Sequence, residues 1–234
     1  MATRAFPSVA RHSREAAFPE LKLPRGLHAT RDLSSARRIV DAAEQIFADR
    51  GLAGARMEAI ARAARVNKAL LYYYFHSKEE LYRYVLEAMF AELQAGGDTG
   101  RLAALAPPAR VRGIVDNYFE FVRQHPNYPR LVQREMMNRG PNLSWMVSEY
   151  YRPMHRRLAR FIEEGMERGD FRSVDAPQMA ISIVALMVFY FGAAPLLSKI
   201  CRRDTLRPAE IARRRKAVMD ILEHGLFLPG ARKQ

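Results

Sequence analysis

The sequence predicts an all-α protein. Across its 234 residues no stretch shows the alternation or the Val/Ile/Thr-rich clustering of β-strands, whereas apolar residues recur at three- and four-residue spacing almost throughout. Glycine, proline and capping residues punctuate that pattern at intervals suited to helix starts and stops. A chain of this size buries roughly three-quarters of its unfolded surface. With 49% hydrophobic and 27% charged residues it can build a core without metal or disulfide.

Each element follows from local signals. Ser34 or Ser35 caps a first helix in which Ile39, Ala43, Ile46 and Phe47 share one face, and Gly51 provides its left-handed stop. A short second helix runs from about Met57 to Ala64, with Ile60, Ala61 and Ala64 inward. Asn67 caps a third, through about Phe75, and Ser77 starts a fourth that ends near Leu93 before Gly96, Gly97 and Gly100. Pro107-Pro108 opens the next, which ends near His125-Pro126. A segment around Pro129 to Arg139 follows, then a long helical stretch to about Arg168 that Pro153 should kink. Asp175 and Gln178 form a capping box ahead of an apolar helix to about Ile200, and Thr205 caps a last helix ending at His224-Gly225. No repeat of 20 to 50 residues is present.

The net charge of +13, with a basic isoelectric point, suits a polyanionic partner. Only six of the 38 cations are lysine, so arginine-rich coding is an equal explanation of the surplus. Residues 1–32 read as a flexible basic arm: it has no continuous apolar region of a secretory signal, and it could follow a DNA minor groove or stay disordered. Met179 to Leu197 is an uncharged run of 19 residues, long enough to raise a membrane span. Gly192 and Pro195 interrupt it, and a helix buried on all sides of a bundle gives the same pattern, so no membrane partner is expected. The single Cys201 excludes an internal disulfide and fits a reducing cytoplasm.

Two short helices joined by two or three residues within Arg56 to Phe75 have the spacing of a helix-turn-helix, while the chain beyond Gly97 is long helices. On the third helix Val66, Leu71 and Phe75 face the first two, which leaves Lys68, Ala69, Tyr72 and Tyr73 on the opposite side. That face is short, positive and hydrogen-bonding, as an element entering a major groove should be. The small Ala69 allows close approach and contact with a thymine methyl. Residues 32–80 hold eight cations and seven anions, so bulk charge does not mark this segment. The placement of particular cations does.

The run from Ile39 to Leu86, with LYYYF followed by HSKEEL, resembles the TetR family of bacterial transcription regulators in its DNA-binding region. Ala43, Phe47, Gly51, Met57, Ile60, Ala61, Ala64, Val66, Lys68, Leu71, Tyr72, Tyr74, Phe75, Lys78, Glu79 and Leu81 carry the resemblance. It implies that Tyr72 donates to a phosphate and that Lys78 is the phosphate-binding lysine. Base-edge contacts would come from Lys68, Ala69, Leu70 and Tyr73, and Arg56 and Arg62 would add backbone contacts. His76 beside Lys78 is either a further contact or a solvated turn residue. Two positions depart from the family pattern: Arg65 stands at the usual turn glycine, and Arg56 at the usual capping Ser or Thr.

The expected organisation is a helix-turn-helix DNA-binding domain at 33–80 and a helical effector-binding and dimerisation domain at 81–234. The resemblance implies that helices Asp175 to Ile200 and Pro208 to Leu226 pair with those of a second subunit. Met- and aromatic-rich segments supply either core packing or an adaptable apolar cavity. Arg134, Met137, Asn138, Trp145, Tyr151, His155, Met187 and Tyr190 are the candidate effector residues. No histidine set has metal-ligand spacing, and no Gly-rich phosphate loop, nucleophile elbow or paired-carboxylate motif appears, so neither enzyme nor cofactor is expected.

The resulting reading is a bacterial, cytoplasmic, homodimeric repressor that binds double-stranded DNA at a palindromic operator and is released by a small apolar or amphipathic effector. The alternative is a non-specific or architectural nucleic-acid binder whose helical domain serves assembly only.

Overall fold

The computed structural model describes residues 29–97, 100–137 and 140–230. The basic arm up to residue 28 and Asn138 therefore lie outside the described residues. Among the described residues the chain is helical almost throughout, and its β pairing is an isolated antiparallel bridge between Phe171 and Phe227. The all-α expectation holds. The chain forms two compact units that divide between Ala95 and Gly96.

The N-terminal unit contains α1 (Ala29–Gly54), α2 (Met57–Ala63), α3 (Lys68–Tyr74) and nearly all of α4 (Lys78–Gly97). Helix α1 begins earlier than the serine caps predict, because no glycine or proline between Ala29 and Ser34 halts it. Ser35 lies inside the helix, and its hydroxyl accepts from Arg38 Nη2 at 2.9 Å instead of capping. Gly51 breaks α1 with φ 69° and ψ 176°, backbone that a side chain would strain. Ile39, Ala43 and Phe47 are fully buried, whereas Ile46 is half-buried at the edge of the stripe. Helix α4 extends to Gly97 and buries Leu81, Tyr82, Val85, Leu86, Met89 and Phe90. The Tyr82 ring meets Phe47 edge-on at 4.8 Å, tying α4 to α1.

The C-terminal unit holds α5 (Gly100–Ala103), α6 (Pro107–Gln124), α7 (Tyr128–Met137), α8 (Leu143–Met146), α9 (Arg152–Glu167), α10 (Ala176–Gly192), α11 (Ala194–Cys201) and α12 (Pro208–Gly225). Between α8 and α9 the backbone forms a π turn at Val147–Tyr151. Pro153 explains it. Having no N–H, and a ring that clashes with the carbonyl four residues back, it forces the preceding turn to widen. Helices α9 and α10 pack most extensively, with α6, α7 and α12 against α10.

Three expectations are corrected in this unit. The apolar helix does not run to Ile200: it ends at Gly192, and α11 departs at 74°. Pro195 sits in the first turn of α11, where a missing N–H costs nothing, and cannot continue α10. The apolar run is also not buried on all sides. Ala180, Ile183, Met187 and Phe191 face the core, but Ile181 is 51% and Phe189 62% exposed. Among the described residues no single helix is long and apolar enough to cross a membrane.

Thr205, finally, does not cap α12. It is buried, shares a hydrogen bond of 2.9 Å with the Ser198 hydroxyl, and its carbonyl accepts from Tyr190 Oη at 2.8 Å. Arg207 precedes Pro208, whose preset φ starts the helix. Asp175 does cap α10 as predicted, accepting from the Gln178 amide at 3.0 Å.

Candidate nucleic-acid interface

Helix α3 is held by one cap and one buried edge. Asn67 Oδ1 accepts from the Leu70 amide at 2.7 Å. Leu71, Tyr74 and Phe75 are buried, which turns Lys68, Ala69 and Tyr72 to solvent. Leu70 and Tyr73 lie half-buried at the margins, Tyr73 edge-on to Tyr74 at 5.5 Å. The outward face predicted from spacing is present, narrower than the sequence implied.

The turn before α3 is strained. Arg65, at the usual glycine position, has φ 54°, a left-handed conformation that is costly for a residue with a side chain. Arg56 occupies the N-cap of α2 with extended backbone and makes no side-chain cap. Its carbonyl accepts from Ala59 and Ile60, and the side chain is left exposed.

The start of α2, the outer side of α3 and the start of α4 surround an open groove of about 420 Å³, lined by Ala55, Arg56, Met57, Glu58, Tyr72, His76, Ser77, Lys78 and Glu79. Four predicted DNA-contact residues, Arg56, Tyr72, His76 and Lys78, thus meet at one depression. Lys78 Nζ reaches the Ala53 carbonyl at 3.5 Å. Ser77 Oγ accepts from the Glu80 amide at 3.0 Å, and Glu80 Oε2 in return accepts from the His76 amide at 3.0 Å. The His76 ring lies 3.2 Å from the same carboxylate. Ser77 and Lys78 therefore stand at the positive end of a 20-residue helix facing the groove.

The sequence reading missed Glu58. Its carboxylate is 2.5 Å from Lys68 Nζ, and the Lys68 ammonium lies 5.7 Å from the Tyr72 ring centre. The hydrogen bond from Lys68 holds the Glu58 carboxyl below its ordinary pKa, and the same bond raises that of Lys68. Residues 10 apart on different helices share no periodic signal, so no sequence pattern marks this pair.

The candidate effector residues are spread through the C-terminal unit. Met137 is 76% exposed at the end of α7, with Arg134 half-buried one turn before it. Trp145 meets Tyr150 edge-on at 5.2 Å. His155 Nε2 lies 3.1 Å from the Pro177 carbonyl, Met187 is in the core, and Tyr190 sits under the Arg214 guanidinium at 5.4 Å. Tyr151, on the π turn, shares a hydrogen bond with Tyr128, and burial pushes both hydroxyls up in pKa. Tyr118 on α6 is electrostatically coupled to both; its buried hydroxyl has no hydrogen-bond partner among the described residues. Tyr118 and Tyr128 were not singled out from sequence, where each reads as an ordinary core aromatic. No group of three metal-ligating side chains occurs among the described residues.

Comparison with known proteins agrees with this division. Residues 39–85 match the family model of bacterial regulatory proteins, tetR family, and residues 107–222 match that of the tetracyclin repressor-like C-terminal domain. The HTH-type transcriptional repressor SCO4008 of Streptomyces coelicolor is 32% identical over 160 residues, covering 68% of this chain and 79% of that protein. The ketosteroid transcriptional regulator KstR2 of Mycobacterium tuberculosis superposes with a TM-score of 0.67 at 20% identity, over 87% of this chain and 98% of that one. A regulator from Saccharomonospora viridis, solved in complex with choline, gives 0.63 at 21% identity over 82% and 97%.

Proposed function

Given that this chain belongs to the TetR family of bacterial transcription regulators, with a DNA-binding helix-turn-helix, we propose that it acts in the bacterial cytoplasm as a homodimeric repressor of a palindromic operator, released by a small-molecule effector. The observation that carries this reading is the convergence of Tyr72, Ser77, Lys78 and the start of α4 on one groove beside the exposed face of α3. In the proposed complex a phosphate sits in the groove, taking the Tyr72 hydroxyl, the Lys78 ammonium and the amides at the start of α4. That contact sets the register of α3, and Lys68, Ala69, Leu70 and Tyr73 then meet base edges. Arg56 and Arg62 add backbone contacts, as does Arg65, whose strained backbone is repaid by a phosphate.

Dimerisation is supported by the apolar face that α10 and α11 leave uncovered, with Ile181, Phe189, Leu196 and Ile200 exposed, and Ile221 exposed on α12. The effector reading rests on the apolar, aromatic interior around Tyr118, Tyr128 and Tyr151, and on the choline complex of a structural relative. An effector that ends DNA binding over a wide range must favour one state by several kcal/mol, about 5.5 for a complete reversal of populations. Genome-wide mapping of bound sites tests the regulator reading: a small set of sites sharing an inverted repeat supports it, and uniform weak occupancy favours the architectural alternative.

A further inference from the structure

The Glu58–Lys68 pair is out of place as a stabilising device. Both side chains are 55% exposed, and solvent screens pairs of that kind so well that they add little to folding. Lys68 also occupies the first turn of α3, where the helix dipole disfavours a cation. Lysine is the only charged residue in the α3 sequence KALLYYY. A lone cation on a reading helix would be drawn to the nearest phosphate, because phosphate attraction is strong and independent of sequence. In the structure a carboxylate from α2 competes for that charge: it pairs with the ammonium, which also lies 5.7 Å from the centre of the Tyr72 ring.

We propose that Glu58 is a specificity-determining residue, which withholds Lys68 from DNA phosphates and presents the pair to a G·C base pair. The chemistry is complementary. With one N–H engaged by Glu58 Oε1, the ammonium keeps two donors for guanine O6 and N7. The carboxylate repels phosphate but accepts from the cytosine amino group. Backbone affinity is left to Lys78 and the arginines, and discrimination to the pair on α2 and α3. This inference rests on the proposed DNA-binding function and names the base pair it reads.

The test uses the full chain and its Glu58→Gln, Lys68→Ala and doubly substituted forms. Glutamine keeps the size and an acceptor but loses the charge. The first measurement is affinity for a 30-bp duplex of random sequence between 50 and 200 mM salt. Glu58→Gln frees Lys68 for one more phosphate, so affinity should fall about 3.5-fold more steeply over that range. In the Lys68→Ala background the same substitution should leave the slope unchanged. The second measurement is selection from a randomised duplex pool, where Glu58→Gln and Lys68→Ala should erase the same G·C preference from the wild-type motif. An unchanged salt slope, an equal steepening without Lys68, or an unchanged motif overturns the role of Glu58. A pool from which the wild type enriches nothing contradicts the regulator reading instead, and the salt slopes still decide the fate of the pair.

Discussion

Arg38 Nε on α1 donates to the carbonyl of Ala64, at the end of α2, across 3.2 Å. The contact pins the last turn of α2 beside Arg65, whose left-handed backbone costs about 1 kcal/mol or more. Arg65→Gly should therefore stabilise the protein by about 1 kcal/mol in urea unfolding. It should also weaken binding to every duplex and make the salt slope shallower by about one. Stabilisation without loss of DNA affinity would show that the strain serves only the turn.

The groove predicts a different pattern for Lys78. Its ammonium has no base within the proposed geometry, so Lys78→Ala should weaken specific and random duplexes alike and lower the salt slope by about one. Tyr72→Phe, which removes only a hydroxyl, should cost about 1 kcal/mol of binding with the slope unchanged. Fluorescence anisotropy on labelled duplexes checks both. If neither substitution moves affinity, the groove is not a phosphate site.

The exposed apolar face yields a prediction about assembly. Phe189 is 62% exposed on α10, and a fully buried phenylalanine contributes about 1.5–3 kcal/mol relative to an exposed one. Phe189→Asp should convert a dimer to a monomer by light scattering while far-UV dichroism stays the same. A dimer that survives this change places the interface elsewhere.

Packing near the chain end gives a test independent of function. A methyl on Gly165 of α9 would collide with the Phe171 ring, itself edge-on to Phe161 at 5.8 Å and stacked on Phe227 at 5.5 Å. With the ring held on two sides, Gly165→Ala should destabilise by about 1–3 kcal/mol in chemical denaturation.

What the sequence revealed, it revealed through local chemistry. Asn67, Ser77 and Asp175 were legible as helix starts because a cap and its amide lie within three residues of each other. The outward side of α3 followed from spacing alone. Thr205 looks like a cap in sequence, but capping residues have other uses: in the turn before α12 its hydroxyl bonds Ser198 on α11, a partner that no local pattern shows. The bend at Gly192 is hidden because an apolar run conceals it, and the uncovered side of α10 because exposed Ile181 and Phe189 read in sequence just as buried residues do. Glu58 carries no local signal, since its partner lies ten residues away on another helix. An acidic residue near a DNA-reading helix looks unfavourable until its lysine is seen beside it.

In the proposed complex α3 reads an operator in the register set by the α4 groove, in a dimer whose two copies meet consecutive major grooves. Such a dimer spaces its half-sites by about 34–36 Å, one turn of DNA or a multiple of it. Footprinting of the purified protein on its most strongly occupied genomic fragment, at moderate salt, is the most direct measurement. A dimer of this kind should give a sharply bounded protected inverted repeat with half-sites spaced by whole turns, lost with Lys78→Ala. Uniform protection that fades along the whole fragment as salt rises would contradict it.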